Sequence, residues 1–377
     1  MSKLGIGIIG CGNISTAYLS LVPLFKGIEV RAVADINPEA AQQKADEFNV
    51  RAQSVEELLS ADDIDIVVNL TIPAAHFSTT KAILEAGKHA YSEKPLVLSL
   101  KEGQELSTLA SENGLRVGSA PDTFLGGAHQ QARALIDQGA LGEVVAGTAH
   151  VMSHGMEHWH PNPDFFFLPG AGPMLDIGPY YVTNLIQLIG PVKRVAALTS
   201  AASATRTITS EPRNGETIPV KTPTNIHALL EFEQGATITL STSWDVWAHR
   251  HANMELYGTE GSLYVPDPNF FGGDVELIGM DGDVLDKPAY AHPFSVPNKD
   301  QSDGKMANYR AAGLADMAQA IAQNRPHRCS MEMAVHAVDV MTSVLKSGED
   351  KTFIEIETTC ERPAALTPKD AADLLVE

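Results

Sequence analysis

Within the first 118 residues, apolar runs of strand length alternate with amphipathic stretches of helical period. The apolar runs fall at 4–9, 28–34, 64–70, 88–91 and 115–118, and the helical patterns at 13–25, 38–48, 54–60, 74–87 and 99–113. Runs such as IVVNL show no polar alternation, as expected of strands buried on both faces. Strand alternating with helix in this way predicts βαβ units wound around a parallel sheet. Near residue 123 the texture changes. A helical pattern at 124–138 leads into predicted strands at 143–152, 192–202, 225–233, 236–245 and 251–257. Glu233-Gln234-Gly235 and Gly258-Thr259-Glu260-Gly261 read as hairpin turns. Helical patterns return at 306–323 and 330–346, while 203–222 and 281–304 read as loops. The expectation is an α/β chain in two domains: 1–122 as a doubly wound parallel sheet, and 123–377 as an α+β domain on an open, mostly antiparallel sheet.

Composition narrows the function. The 377 residues carry 27 Lys and Arg against 47 Asp and Glu, a formal net charge of −20. Nucleic-acid binding needs clustered cations, and so does a polybasic membrane contact. Neither is expected here. No apolar run approaches the roughly 18 residues of a membrane span, and the first ten residues lack the longer apolar core of a signal peptide. Cys11, Cys329 and Cys360 are an odd count without metal-type spacing, which argues against a disulfide framework. A soluble, cytoplasmic protein is expected.

The turn after the first strand carries a nucleotide signal, GIIGCGNIS at 7–15. Gly10 permits the tight turn, and Gly12 lets backbone approach a pyrophosphate. Asn13 and Ile14 open the helix whose free N–H groups face that anion. Ser15 takes the place of the usual third glycine, and a small residue preserves close helix–strand packing. Asp35 ends the second strand, where a carboxylate accepts from the adenosine ribose hydroxyls and repels a 2′-phosphate. Ile36 and Asn37 offer no cation, so NAD is favoured over NADP. This is a Rossmann-type signature; a glycine-rich turn that binds nothing is the plainer alternative.

Two further segments carry chemistry. Glu93-Lys94-Pro95 follows the strand run at 88–91, at the carboxyl end where open parallel sheets bind ligands. Lys94 there would donate to a substrate oxygen and stabilise developing negative charge, with Pro95 fixing the turn, by a cis bond on one reading. In GAGPMLDIGPYY (170–181), helical spacing would put Asp176, Tyr180 and Asn184 on one face. Gly178-Pro179 competes with that, since a proline starts or kinks a helix. A phenol, ordinarily titrating at about pH 10, takes a proton near neutrality only beside a cation. The bland alternatives are a surface lysine, and core tyrosines beside a capping carboxylate. His150, His154, His158 and His160 invite a metal reading. The first lies on a strand pattern and the rest run into a Trp159, Pro161 and Pro163 loop, so no metal is expected.

Together these segments resemble the Gfo/Idh/MocA oxidoreductase family. The resemblance covers nearly the whole chain, through 7–15, TIPAAHFSTTKAILEAGKHAYSEKP (71–95), ALIDQGALGEV (134–144), 170–181 and LYGTEGSL (256–263). It implies a Rossmann domain followed by a domain whose open sheet often makes the oligomer interface, hence a homodimer or homotetramer. It implies that Lys94 contacts the reacting hydroxyl and that Asp176 binds substrate. Tyr180 stands where many members have a catalytic histidine, a departure shared by some of the family. Thr183 replaces a frequent aspartate, and Ser119-Ala120-Pro121-Asp122 departs from the usual segment. Thr71, Pro73 and His76 match positions flanking the cofactor, and Glu93 one near the nicotinamide ribose. Trp159 and His160 fall on a loop at the sugar pocket. The expected activity is NAD-dependent oxidation of a sugar or polyol, an aldose C1 hydroxyl going to a lactone. Pentoses such as apiose and hexoses are candidates. An NAD-dependent glycosidase and a catalytically silent nucleotide-sensing protein are the alternatives.

Overall fold

The computed structural model of the chain describes residues 3–301 and 304–376. Met1, Ser2, Ser302, Asp303 and Glu377, which fall in the expected domains and the expected 281–304 loop, lie outside it. The first half runs β1 (Leu4–Ile9), α1 (Asn13–Leu21), β2 (Ile28–Ala34), α2 (Pro38–Phe48), β3 (Arg51–Ala52), α3 (Val55–Ser60), β4 (Ile66–Asn69), α4 (Pro73–Glu85), β5 (His89–Ser92), α5 (Leu100–Glu112) and β6 (Val117–Ser119). These strands make one parallel sheet in the order β3-β2-β1-β4-β5-β6. The sequence dictates the helix ends. Asn37 caps α2 through the Glu39 N–H, with Pro38 in the first position, and Ser54 and Glu57 form a reciprocal capping box on α3. The α1 helix stops at Leu21, short of the expected residue 25, because Pro23 tightens the chain into a 3-10 turn.

The second half runs α6 (Gly127–Asp137), β7 (Val144–Met152), α7 (Gly172–Asp176), α8 (Gly178–Ile189), β8 (Val192–Ser200), β9 (Thr205–Thr207), β10 (Thr217–Pro219), β11 (Asn225–Phe232), β12 (Thr237–Ser243), β13 (Met254–Gly258), β14 (Gly261–Val265), β15 (Glu276–Gly279), β16 (Val284–Leu285), β17 (Lys299–Gln301), β18 (Gly304–Met306), α9 (Ala312–Gln323), α10 (Met331–Asp350), β19 (Ile354–Glu355) and α11 (Pro368–Leu374). Nine strands form an open sheet in the order β16-β15-β14-β13-β7-β12-β11-β8-β19. Only the β12–β7 pair is parallel; both expected hairpin turns connect antiparallel strands. The segments expected as loops hold two small ribbons, β9–β10 and β17–β18. Their strands are three residues long, too short for an alternation to register.

The last third of the chain ties the halves together. Ser330 bridges Gly118 at the edge of the parallel sheet, the Ser119 N–H donates to the Cys329 carbonyl, and Leu375 bridges Phe25. The core is continuous from β1 through α8 and α10. Cys11, Cys329 and Cys360 are free and buried in it. Among the described residues no helix is long and apolar enough to cross a membrane.

Three histidines inside this core are wired as neutral rings. His129 Nε2 donates to the Phe270 carbonyl while Nδ1 accepts from Asn184; His292 Nε2 donates to the Leu366 carbonyl while Nδ1 accepts from the Phe294 N–H. His336 Nε2 accepts from the Val192 N–H and Nδ1 donates to Thr358 Oγ1. A second ring proton would face a donor, and burial pushes all three down to about 4. Their folded values lie below the unfolded one, so their contribution is complete above about pH 6.5 and is lost as pH falls through the folded values. Denaturant unfolding should therefore lose roughly 2 kcal/mol per histidine between pH 6.5 and 5. A stability profile flat across that window would contradict this wiring.

Candidate active site

The carboxyl ends of β1, β2, β4 and β5 deliver Gly10, Asp35, Thr71 and Lys94 to one edge of the parallel sheet. Gly10 has φ +103, and a Cβ there would sit 2.6 Å from the Leu70 carbonyl carbon and oxygen. Only glycine fits that turn. At Gly12, by contrast, a Cβ would meet nothing within 4 Å. That opening lies at the start of α1, where Asn13 and Ile14 are the first two helical residues and their N–H groups have no intrahelical acceptor. The Asp35 carboxylate is fixed by the Cys11 N–H at 2.7 Å and the Asn37 N–H at 2.9 Å. Beside it opens a cleft of about 530 Å³ whose lining includes Gly10, Gly12, Asp35, Thr71 and two exposed isoleucines, Ile36 and Ile72. Among the described residues no lysine or arginine lines it. Open backbone for a pyrophosphate, a fixed carboxylate for ribose hydroxyls and apolar walls for adenine fit a dinucleotide without a 2′-phosphate.

Behind this edge lies a brace. Asn69 accepts from the Thr71 hydroxyl and donates to the His76 carbonyl and Thr80 Oγ1. His76, expected to flank the cofactor, is instead buried, with Nδ1 2.6 Å from the Pro95 carbonyl and Nε2 2.9 Å from the Thr71 carbonyl. It links the cofactor edge to the Glu-Lys-Pro turn rather than facing a ligand. Burial, opposed by those two carbonyls, holds its pKa below the usual histidine value. Pro73 is the first residue of α4, where its missing N–H costs nothing. Glu93 is also internal, its oxygens accepting from the Tyr18 hydroxyl and the Lys94 N–H.

The Lys94–Pro95 bond is cis. Lys94 Nζ crosses to the second domain, donating to the Asp176 carbonyl at 2.7 Å and to its Oδ1 at 2.9 Å. Burial acts against the Lys94 charge, but Asp176, Tyr180 and Glu93 outweigh it and hold the ammonium above the ordinary lysine value. The same Nζ lies 5.2 Å from the centroid of the Tyr180 ring. The structure thus brings Lys94, Asp176 and Tyr180 together, though not by the expected single helix. α7 ends at Asp176, and α8 begins at Gly178 with Pro179 in its first turn. The break changes where the face points. Asn184, expected to continue it, is fully buried and turned to His129 and Gln187.

Arg310, which the sequence reading did not single out, completes the cluster. It precedes α9, and both its Nη atoms lie 3.4 Å from Tyr180 Oη. No motif marks it. Asp122 is fully buried nearby and accepts from the Gly313 N–H; burial, partly offset by Arg310, raises its carboxyl to about 6. Trp159 and His160 sit in an aromatic patch with Phe165 and Phe166. No hydrogen bond or ring contact among the described residues joins them to Lys94, Asp176 or Tyr180. His150 stacks on His251 and His154 on Trp247. Among the described residues no group of three or more His, Cys, Asp or Glu side chains is arranged to hold a metal ion.

Residues 4–120 match the oxidoreductase family with the NAD-binding Rossmann fold, and residues 129–264 match the GFO/IDH/MocA C-terminal domain. The chain belongs to the GFO/IDH/MocA oxidoreductases. Its first 120 residues hold an NAD-binding Rossmann domain of that family. An uncharacterized oxidoreductase of Schizosaccharomyces pombe is 28% identical over 207 residues, which span 52% of this chain and 54% of that protein. Levoglucosan dehydrogenase of Pseudarthrobacter phenanthrenivorans is 24% identical over 333 residues, 81% of this chain and 83% of the relative. A solved levoglucosan dehydrogenase superposes with a TM-score of 0.80 at 20% identity, covering 96% of this chain and 100% of that one. Within this family's site, Gly12→Ala should leave unfolding stability unchanged, because the new methyl meets open space. It should weaken NADH binding at least about tenfold by crowding the pyrophosphate. Fluorescence titration alongside chemical denaturation checks both halves.

Proposed function

We propose that this oxidoreductase transfers a hydride from a hydroxyl-bearing carbon of a sugar or polyol to NAD. The observation that carries the reading is the convergence of Lys94, Asp176 and Tyr180 at the edge that bears the dinucleotide cleft. The name of its levoglucosan-oxidising relative supports a carbohydrate substrate. Bound NAD would take the hydride at its nicotinamide ring. Lys94, kept protonated, donates to the substrate oxygen and stabilises negative charge as the O–H bond breaks. Tyr180, as the phenolate, receives that proton, and Asp176 orients the neighbouring hydroxyls while holding the ammonium in place. An aldose C1 hydroxyl, giving a lactone, is the preferred version, with pentoses such as apiose and hexoses as the candidate sugars.

The face of the nine-stranded sheet opposite α8 exposes Leu198 and Leu229 on adjacent strands, with exposed Phe353 beside them. We place a homodimer or homotetramer interface there. Leu198→Arg with Leu229→Arg should lower the mass seen by light scattering and leave NADH binding intact.

The direct test mixes the protein with NAD and a panel of aldoses and polyols and follows NADH absorbance. Lys94→Ala and Tyr180→Phe should each lower kcat by about a hundredfold or more while NADH binding persists. Absence of turnover with every panel member, in either direction, would defeat the reading. Release of free sugar from a glycoside without net NADH would replace it with glycosidase chemistry.

A further inference from the structure

Tyr180 is flanked by two cations that meet different parts of it. Lys94 faces the ring, and its donors are directed at Asp176. Arg310 faces the oxygen, with Nη1 and Nη2 each 3.4 Å from Oη and the guanidinium carbon 5.8 Å from the ring centroid. Contacts of that length are usual where a catalytic hydrogen bond tightens only with substrate present. The carboxylates nearby are engaged elsewhere: Glu93 with Tyr18 and the Lys94 N–H, Asp122 with the Gly313 N–H, and Asp176 with Lys94. Among the described residues no ion pair within 4.0 Å includes Arg310, so its charge is not neutralised by a contact partner.

The backbone holds this arrangement under strain. Ala311, the next residue, has φ +82, a left-handed conformation that alanine adopts only when its surroundings impose it. The Arg310 N–H is steadied by Asn308 Oδ1, and Asn308 is in turn pinned by Asn298. Such strain next to a reaction centre is a known site of preorganisation.

We infer that Arg310 is the positioning residue for proton transfer, its guanidinium supplying the counter-charge to the Tyr180 oxygen when that oxygen is ready to accept the substrate proton. The inference rests on the dehydrogenase reading above and deepens it. The substrate O–H bond breaks as its proton passes to the Tyr180 phenolate, forming the phenol O–H, and the hydride leaves the carbon bearing that oxygen for the nicotinamide of NAD; the phenol then releases the proton to solvent and the phenolate is restored. Lys94, Asp176, Glu93, Tyr18 and Asp122 surround the pair. Of these, Lys94 favours charge on the phenol oxygen, and Glu93, Asp176 and Asp122 oppose it. Attraction to Tyr180, against burial, is also what chiefly holds the Arg310 guanidinium above its ordinary value.

The test compares the wild type with Arg310→Met and Arg310→Lys by titrating tyrosinate absorbance. The share due to Tyr180 is the part lost in Tyr180→Phe. Arg310→Met should move that share upward by about one pH unit or more, with Arg310→Lys between it and the wild type. The acid limb of kcat/KM should move the same way, while KM for the sugar changes less than about threefold. Unchanged NADH affinity and near-ultraviolet circular dichroism show that the variants are folded. A Tyr180 titration identical in Arg310→Met and wild type overturns the inference. So does a rise in KM with the acid limb fixed, which would make Arg310 a substrate contact. An Arg310-dependent shift without sugar turnover supports the pairing and counts against the dehydrogenase reading.

Discussion

The Lys94–Asp176 pair is the interaction on which the site depends. It joins the turn after β5 of the first domain to the end of α7 in the second. The ammonium binds the last residue of α7 through both its carbonyl and its carboxylate, so one cation satisfies a helix end and a charge together. Burying either partner alone would be costly, and removing one of a buried pair typically costs about 3–5 kcal/mol. These side chains remain 15% and 22% exposed, which tempers that figure but leaves the ammonium reachable by a substrate. The helix break that follows is a consequence of the same geometry. By stopping α7 at Asp176 and restarting at Gly178, the chain places Tyr180 beside Lys94 while the rest of α8 remains in the core.

Behind the site, buried polar groups divide into those wired for structure and those left for chemistry. His129, His292 and His336 each have one donor and one acceptor partner, which makes a single neutral tautomer the stable form. His76 differs, because both of its nitrogens meet carbonyls and a neutral ring donates to only one. It ties the Thr71 and Pro95 turns together, linking the cofactor edge to the lysine turn. Glu93 performs a similar service between α1 and the same turn through Tyr18.

Much of this was legible from the residues. The alternating first 118 residues gave five of the six parallel strands and all five helices in order, missing only the two-residue β3, and the glycine turn with Asp35 pointed to the nucleotide edge. These features are local, and their periods and turn chemistry are written in consecutive residues. What escaped was long-range. The Asp176–Tyr180–Asn184 face required an unbroken helix; Gly178-Pro179 spoke against one, and the helix does restart at Gly178, with Asn184 turned inward to His129. His76 matched a cofactor-flanking position by resemblance, yet its burial depends on packing of α4 that spacing does not reveal. Arg310 sits in no motif, and only the return of the chain before α9 brings it to Tyr180. The three-residue ribbons at 205–219 and 299–306 are stabilised by their neighbours, not by any pattern of their own.

A crystal structure of the protein with NADH and an aldose bound would examine the central claim most directly. The account predicts nicotinamide at the strand edge bearing Gly10 and Lys94, and one sugar oxygen within about 3 Å of both Lys94 Nζ and Tyr180 Oη. A sugar held away from those two atoms, or a nicotinamide directed to another part of the fold, would contradict it.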